Sequence, residues 1–395
     1  MIRRVMALVV VFAFVSGAQA RAGEGDGALR ASLRRVANAY LAAHAQDEHM
    51  SAVSIVVNLP HDPTTIDVNA GRTSRGGATP VTSANLWQIG SNTKAMTATV
   101  LLQLEAEGKL TIEQTVGDWL PQYPAWKNVS IHRLLDMTSG IPGYDNVPAM
   151  GTAFRSIHRR FTPEMLVAFA DPIYGHAPAP THGWDYSNTN YLLAGMIIER
   201  ATGDTYGNEL RKRLFEPLGL TDMFYSPNVY PKTVTDRMLS GYFDNRGPGN
   251  ETLTQLLDVD QRSADMSWAG AAGGVVGSLP DLARWARALY EGSALGPKQR
   301  RELMTIVSNR TGRPIATTTL SDPTGFGLGV GQGTHPKFGT YWYYQGETLG
   351  YRTIYVWFPK SDVVVSLGAN SQPTKNHIGE LLDGIWASLH AAGKV

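Results

Sequence analysis

Apolar runs near both ends of the chain have the length and composition of β-strands. Two of them are separated by a polar turn at residues 60–63, a pattern typical of a β-hairpin. Three more, rich in aromatic and β-branched residues, occur near the other end. The predicted strands are residues 53–57, 65–68, 341–344, 353–357 and 363–367.

The middle of the chain has helical periodicity, interrupted by Pro and Gly turns. Helices are predicted at residues 28–45, 190–201, 279–290 and 378–391. This order predicts an α/β fold of the α+β type: an antiparallel sheet formed from both chain ends, flanked by helices, with an inserted, mostly helical domain. We expect a sheet lobe at about 28–115 and 270–395 and a helical lobe at about 116–269.

The first twenty residues have the pattern of a secretory signal peptide. Arg3 and Arg4 precede an apolar stretch at residues 5–15, and small residues follow at 18–20. We expect cleavage after Ala20, a mature chain of residues 21–395 with no membrane span, and a periplasmic or secreted location. The sequence contains no cysteine, which excludes a disulfide scaffold and thiol chemistry.

The charge balance gives no indication of a nucleic-acid partner. The chain has 35 basic and 34 acidic residues, a net charge of +1, and no long basic run. Its ten histidines include no H-E-x-x-H spacing, so we expect neither a metal nor another cofactor. A small-molecule or peptide substrate is the expected partner, and the sequence leaves the oligomeric state open.

The only S-x-x-K in the chain is formed by Ser91 and Lys94, at the predicted start of a helix. Residues three apart share a helix face, so the Lys94 amine is expected to reach the Ser91 hydroxyl. The helix N-terminus favours the negative charge that develops when the serine attacks a substrate. This spacing is therefore a candidate nucleophile, although such a tetrad also occurs by chance.

A second candidate motif is formed by Tyr186 and Asn188. A cationic Lys94 nearby would lower the pKa of the Tyr186 phenol from about 10, so that the tyrosine could accept the serine proton. Asn188 would orient Lys94 and donate an amide hydrogen bond to the acyl group. Tyr144 and Asn146 have the same Y-x-N spacing, and residue types alone do not choose between the two motifs.

The order of these motifs resembles that of the serine β-lactamase-like superfamily. Within it, the chain is similar to the class C β-lactamase, D-alanyl-D-alanine carboxypeptidase and family VIII esterase group. The resemblance covers nearly all of the mature sequence and includes the segments that precede and follow the S-x-x-K. The matching stretches are residues 86–90, 131–140, 216–222, 272–274 and 281–285.

The resemblance implies specific catalytic roles. Ser91 corresponds to the family's nucleophile and Lys94 to its activating partner. It also selects Tyr186 over Tyr144 as the general base and acid.

The family's third motif, K-T-G or H-x-G, aligns with residues 344–346. Tyr344 replaces the Lys or His that in relatives holds a substrate carboxylate or relays protons, and Arg352 is a candidate replacement cation, with a surface role as the alternative. Gly346 keeps the position at which the backbone approaches the substrate. The resemblance also implies an oxyanion hole formed by the backbone N–H groups of Glu347 and Ser91.

The leading hypothesis is an exported serine hydrolase that cleaves an ester or amide through an acyl-enzyme on Ser91. Because Tyr344 removes a cation, an esterase or peptidase-like hydrolase is favoured over an efficient β-lactamase. β-Lactamase or D-Ala-D-Ala carboxypeptidase activity is one alternative. A non-catalytic binding or assembly module of the same fold is another.

Overall fold

A computed structural model describes residues 10–146, 150–151, 156–170 and 183–395, with side chains from residue 26 onward except at 146. The first nine residues of the predicted signal sequence lie outside the described residues. The rest of that sequence falls within a first helix, Val10–His44, which begins earlier than the predicted lead-in helix.

Nine of the described strands form one antiparallel sheet. Numbered in chain order, β1 to β14 are Ala52–Asn58, Ile66–Gly71, Trp87–Gln88, Met223–Tyr225, Tyr242–Asp244, Val275–Gly277, Ile306–Ser308, Pro314–Ile315, Thr324–Phe326, Gly331–His335, Gly339–Glu347, Arg352–Phe358, Val363–Ala369 and Ser371–Pro373. The sheet order is β2-β1-β13-β12-β11-β10-β9-β7-β8. Strand β1 pairs with β13 from Val53 opposite Ala369, so strands from the two ends of the chain are neighbours near one edge of the sheet.

Twelve α-helices surround this sheet in the described part of the chain. In chain order, α1 to α12 are Val10–His44, Thr93–Ala106, Val116–Trp119, Ile131–Leu135, Pro163–Phe169, Asn188–Thr202, Tyr206–Leu210, Lys232–Thr235, Gly270–Gly273, Leu279–Glu291, Pro297–Leu303 and Ile378–Ala391. A π-helical turn follows α7, and short 3-10 turns occur at Gly90–Asn92, Pro124–Trp126, Tyr144–Asn146, Glu251–Leu256, Gln261–Ser263 and Met266–Trp268.

Two hydrophobic cores lie on opposite faces of the sheet. Helix α1 places an apolar stripe at helical spacing, and with α12 it covers one face. The other face packs against α10, and the larger core on this side extends to α2 and α6. Strand β1 is buried along its whole length because both of its faces are covered, with alternate residues in alternate cores.

The predicted fold class is confirmed. The hairpin forms as β1 and β2, the three distal runs lie in β11, β12 and β13, and the last helix has the predicted bounds. Within the described part of segment 116–269, the regular elements are helices and helical turns apart from β4 and β5. These two strands are too short for their periodicity to be visible in the sequence. Within the described residues, none of the helices combines the length and apolarity needed to cross a membrane.

Candidate active site

Ser91 lies in the 3-10 turn Gly90–Asn92, which leads directly into α2. Lys94 therefore sits in the first turn of α2, one turn beyond the serine. The sequence predicted that Ser91 and Lys94 both lie at the start of one helix. In the structure, Ser91 lies in a 3-10 turn and Lys94 lies in the α-helix that follows it. The first N–H groups of such a segment have no partners within it, so the Ser91 turn presents hydrogen-bond donors.

The turn is fixed in place by β11 and β12. The Asn92 side chain donates to the Ile89 carbonyl and to the Thr353 hydroxyl, each at 2.8 Å. A Cβ added to Gly346 would lie 1.8 Å from the Ile89 carbonyl oxygen. The contact between β11 and the Gly90–Asn92 turn therefore leaves no room for a side chain at Gly346. This contact requires glycine independently of the predicted close approach to substrate.

The side chains of Ser91, Lys94 and Tyr186 converge. Lys94 Nζ lies 3.0 Å from Ser91 Oγ, and the Tyr186 hydroxyl lies 2.8 Å from the same oxygen. Tyr186 immediately precedes α6, which packs against α2 in the larger core. The predicted alcohol, amine and phenol are thus brought within hydrogen-bonding distance by the packing of two helices.

Lys94 is fully buried, and its nitrogen has three oxygen neighbours. Besides Ser91 Oγ, these are Asn188 Oδ1 at 2.6 Å and the Ala272 carbonyl oxygen at 2.7 Å. Burial lowers the pKa of Lys94 to about 7, opposed by the nearby Asp145 carboxylate. At neutral pH a large fraction of Lys94 is therefore the neutral amine, which has a lone pair available for the serine proton.

Tyr186 differs from the sequence prediction in its acidity. Burial raises the pKa of the Tyr186 phenol far above 10, so the expected fall does not occur. The physical reason is that the loss of water around the phenol outweighs its hydrogen bond to Ser91, and the nearby carboxylates of Asp145 and Glu347 raise the pKa further. Tyr186 is thus placed as a neutral hydrogen-bond donor to Ser91 Oγ.

Asn188 contacts Lys94 through its amide oxygen, and its amide nitrogen also has a protein partner. Asn188 Nδ2 donates to Asp145 Oδ2 at 2.6 Å. The hydrogen bond to an acyl group that the sequence predicted would be made in addition to this one. Although the Asp145 side chain is open to the cleft, surrounding protein raises the pKa of its carboxyl, opposed by the Asn188 hydrogen bond. Sequence reasoning missed Asp145, and the only signal was its position inside the discarded Y-x-N motif.

Tyr144, the other candidate, has a structural role. It is buried and its hydroxyl donates to the Trp268 carbonyl oxygen at 2.5 Å. Ser91 is not among its hydrogen-bond partners in the described structure. The choice of Tyr186 over Tyr144 thus agrees with the geometry.

Tyr344 lies beside Tyr186 and does not line the cleft within the described residues. Its ring packs edge-on against Phe326, with ring centroids 5.8 Å apart, and only 5% of the residue is exposed. Its hydroxyl is buried without a hydrogen bond of good geometry in the described structure. Tyr344 therefore packs behind the Tyr186 phenol, away from the position at which the predicted contact with substrate would be made.

Arg352 is neither a substrate cation nor a surface residue. It is fully buried, and its guanidinium donates to Glu48 Oε2 at 2.5 Å, to the Ser371 carbonyl at 2.8 Å and to Asn376 Oδ1 at 2.6 Å. The sequence did not reveal this because its partner Glu48 is about three hundred positions away.

The backbone N–H of Glu347 is directed at the nucleophile turn. The next residue, Thr348, donates to the Tyr351 carbonyl oxygen, so strand alternation points the Glu347 N–H away from β12. On that side a Cβ added to Gly90 would lie 2.7 Å from Glu347 N. Gly90 has a positive φ of 53° and no side chain, which lets this N–H and that of Ser91 lie close together.

Ser91 opens into a cleft of about 770 Å³. Tyr186, Asn188 and Asp145 lie on its wall, with Gln345 and Glu347 at the end of β11. Residues 248–253 and Trp268 form other parts of the lining. The cavity is large enough to admit a small-molecule or peptide substrate to the serine.

Within the part of the chain that the structure describes, two groups of side chains outside the cleft have metal-ligand chemistry. In each of them an arginine already contacts a carboxylate: Arg352 contacts Glu48, and Arg75 contacts Asp258. These cations take the place that a metal ion would need. The groups are His44, Glu48 and His377, and His49, Asp244 and Asp258.

Comparison with known proteins gives one consistent family. The Beta-lactamase family model matches residues 35–382. Penicillin-binding protein 4* of Bacillus subtilis strain 168 is 27% identical over 282 residues, covering 70% of this chain and 59% of that protein. Penicillin-binding protein 4 of Amycolatopsis lactamdurans is 31% identical over 226 residues, covering 56% and 55%. The chain thus spans little more than half the length of these relatives.

Among solved structures, the fold is similar to that of D-amino acid amidase from Ochrobactrum anthropi SV3 in complex with D-phenylalanine. The TM-score is 0.77 at 23% identity, covering 92% of this chain and 99% of that one. This similarity concerns the fold. Since the family model extends over most of the sequence, the chain belongs to the Beta-lactamase family.

Proposed function

We propose that this protein is an exported serine hydrolase that cleaves an ester or amide through an acyl-enzyme on Ser91. The observation that carries the proposal is the position of Ser91 Oγ, 3.0 Å from Lys94 Nζ and 2.8 Å from the Tyr186 hydroxyl. A serine hydroxyl is a weak nucleophile unless a base lies within this distance. Family membership and the open cleft support the same reaction.

In the acylation step, neutral Lys94 takes the Ser91 proton as Oγ bonds to the substrate carbonyl carbon. The carbonyl π electrons move to its oxygen, which faces the backbone N–H groups of Ser91 and Glu347. Removing one such donor typically costs about 3 to 4 kcal/mol of barrier height. Lys94 carries a positive charge at this stage, stabilised by its contacts with Asn188 and Ala272.

Collapse of the tetrahedral intermediate breaks the bond to the leaving group. The Tyr186 hydroxyl donates its proton to the departing oxygen or nitrogen, and Lys94 returns a proton to Tyr186. The acyl-enzyme is then hydrolysed by water in the reverse sense, which regenerates Ser91 and the neutral amine. Lys94 and Tyr186, the two side chains that carry these protons, both contact Ser91 Oγ.

An esterase or peptidase-like hydrolase is favoured over a β-lactamase or D-Ala-D-Ala carboxypeptidase. Both of the latter act on substrates with a free carboxylate, and Tyr344 is a buried phenol where relatives have a cation. The similar amidase fold supports an amide as substrate. The signal-like pattern of residues 1–20 supports export to the periplasm or out of the cell.

The test is turnover of p-nitrophenyl acetate and p-nitrophenyl butyrate by wild type, Ser91→Ala and Ser321→Ala. Ser321 is an exposed serine outside the cleft lining and serves as the matched control. Wild type and Ser321→Ala are expected to be active, while Ser91→Ala loses at least about a thousandfold. Full turnover by Ser91→Ala would refute the nucleophile assignment.

A non-catalytic binding module is the rival from another class. Intact-protein mass spectrometry after fluorophosphonate treatment separates the two hypotheses. The hydrolase is expected to gain one adduct that maps to Ser91, and Ser91→Ala to gain none. Absence of an adduct and of ester turnover in wild type would favour the binding module.

A further inference from the structure

The described lining of the cleft carries carboxylates and no Lys, Arg or His side chain. Asp145, Glu251 and Glu347 contribute to this lining, and all three side chains are exposed. The sequence as a whole is nearly neutral, with 35 basic and 34 acidic residues. The negative charge of the cleft is therefore local.

Two cations near the catalytic centre in the described structure, Lys94 and Arg352, are unavailable to a substrate. Lys94 is fully buried and its nitrogen contacts three protein oxygens. Arg352 is buried and paired with Glu48. A substrate carboxylate at Ser91 would thus find no cationic partner in the described lining, and it would be repelled by the acidic side chains.

Two of these carboxylates are tied to the catalytic centre. Asp145 accepts one hydrogen bond from Asn188, which in turn contacts Lys94, and its side chain remains open to the cleft. Glu347 follows Gly346 at the end of β11, and its backbone N–H is directed at the Ser91 turn. Its carboxylate accepts hydrogen bonds from Gln345 Nε2 and, at 3.4 Å, from Asn376 Nδ2, and the side chain remains exposed on the cleft side.

From this charge distribution we infer that Asp145 and Glu347 bind a substrate ammonium group next to the scissile bond. The substrate class is an amide or ester with a free amine, such as an amino acid amide or a peptide cleaved beside its N-terminus. The inference rests on the proposed function of Ser91. Charge-assisted hydrogen bonds from an ammonium to carboxylates are about twice as strong as neutral ones.

The test measures competition against p-nitrophenyl acetate hydrolysis. Inhibition constants are determined for phenylalanine amide and N-acetyl-phenylalanine amide, each as both enantiomers. At pH 6.5 the free α-amine, with a pKa of about 7.7 to 8.0, is protonated. For at least one enantiomer, wild type is expected to bind the free amine about tenfold or more tightly than its acetylated partner.

The inhibition constant of the acetylated compound divided by that of the free amine is then measured in Asp145→Asn, Glu347→Gln and the double variant. Because the acetylated compound keeps the same ring and amide, a purely structural change moves both constants together. The ratio is expected to fall toward one in the double variant. Glu113→Gln, which removes an exposed carboxylate that pairs with His132, is the control and keeps the wild-type ratio.

A wild-type ratio of one or less, or a ratio unchanged in the double variant, would overturn the inference while leaving the hydrolase intact. Loss of the proposed function is visible separately. In that case wild type shows no Ser91-dependent p-nitrophenyl acetate hydrolysis, and the amine-binding role falls with it.

Discussion

At the scale of single residues, the environment of Lys94 determines how the site works. Its amine is fully buried between Ser91, Asn188 and the Ala272 carbonyl, with the rings of Tyr186 and Tyr191 at 5.0 and 5.5 Å from the nitrogen. Desolvation penalises the ammonium form, whereas the same burial keeps the tyrosine protonated. The proposed base, Lys94, and the proposed proton donor, Tyr186, are thus both favoured by burial in their neutral forms.

The pH dependence of ester hydrolysis follows from this assignment. Only neutral Lys94 accepts the serine proton, so kcat/KM for p-nitrophenyl acetate is expected to rise with pH and level off above about 8, with its midpoint near 7. Asp145 is the charged group that opposes this shift. Removing its charge in Asp145→Asn favours the neutral amine and moves the midpoint to lower pH.

The profile is measured for wild type and Asp145→Asn under kcat/KM conditions, with Glu113→Gln as the control. A neutral ester is used so that the substrate does not titrate. A midpoint near 10 in wild type would show that Lys94 keeps its ordinary pKa and would contradict the assignment.

At the scale of elements, the site depends on the contact between the Gly90–Asn92 turn and β11. Ile89 and Gly346 meet backbone to backbone, and the Asn92 side chain donates hydrogen bonds from the turn to Thr353 of β12. In the proposed mechanism, this contact sets the separation of the two N–H groups that would face the developing oxyanion. The position of β11 relative to the Gly90–Asn92 turn is then expected to affect catalysis as well as packing.

Gly346→Ala is expected to damage stability and activity together. The new Cβ would lie 1.8 Å from the Ile89 carbonyl oxygen, so β11 and the turn must separate. Overpacking of this kind costs about 1 to 3 kcal/mol of unfolding free energy. Displacing the Glu347 N–H would lower kcat by about a hundredfold.

Gly379→Ala provides the matched control, because Gly379 lies in α12 with no atom within 4 Å of an added Cβ. Its activity and its midpoint in chemical unfolding are expected to be no lower than those of wild type. Wild-type kcat in Gly346→Ala would show that this contact does not position the site.

At the scale of the whole molecule, a buried polar network joins the two ends of the chain. Glu48, just after α1, pairs with Arg352 on β12 and accepts hydrogen bonds from the Tyr40 hydroxyl and the His377 backbone. Burial by itself would raise the pKa of Glu48, but Arg352 and these hydrogen bonds hold it below its ordinary value. The network therefore contains a carboxylate that is charged and satisfied.

Glu48→Gln is expected to destabilise the protein by about 3 to 5 kcal/mol, because it leaves the buried Arg352 charge uncompensated. Chemical unfolding measures the loss, and Glu380→Gln is the control. Glu380 is exposed and pairs with His44 at the surface, so its loss costs less than about 1 kcal/mol.

Ester hydrolysis below the unfolding transition is expected to retain its wild-type pH midpoint in Glu48→Gln. Equal stability of Glu48→Gln and wild type would mean that this pair does not hold the chain ends together. A loss of turnover without a loss of stability would instead indicate that Arg352 has a role in the active site.

The sequence alone determined the elements and the chemistry-bearing residues that depend on local pattern. Apolar runs give β1, β2, β11, β12 and β13, and the bounds of α12 follow from its periodicity. The S-x-x-K spacing brings Ser91 and Lys94 within reach because neighbouring turns of a helical segment bring such side chains together. Family motifs added Tyr186, whose position agrees with the geometry.

Tertiary structure decided what depends on distant partners. Asp145 contacts Asn188, and Arg352 pairs with Glu48, which is about three hundred positions away in the sequence. The burial of Tyr344 also depends on packing against residues that are distant in the sequence. The pKa of Lys94 and Tyr186 likewise depends on how much water the fold removes, which no local pattern records. Local spacing therefore supplied the reacting groups, and long-range packing set their protonation and the charge around them.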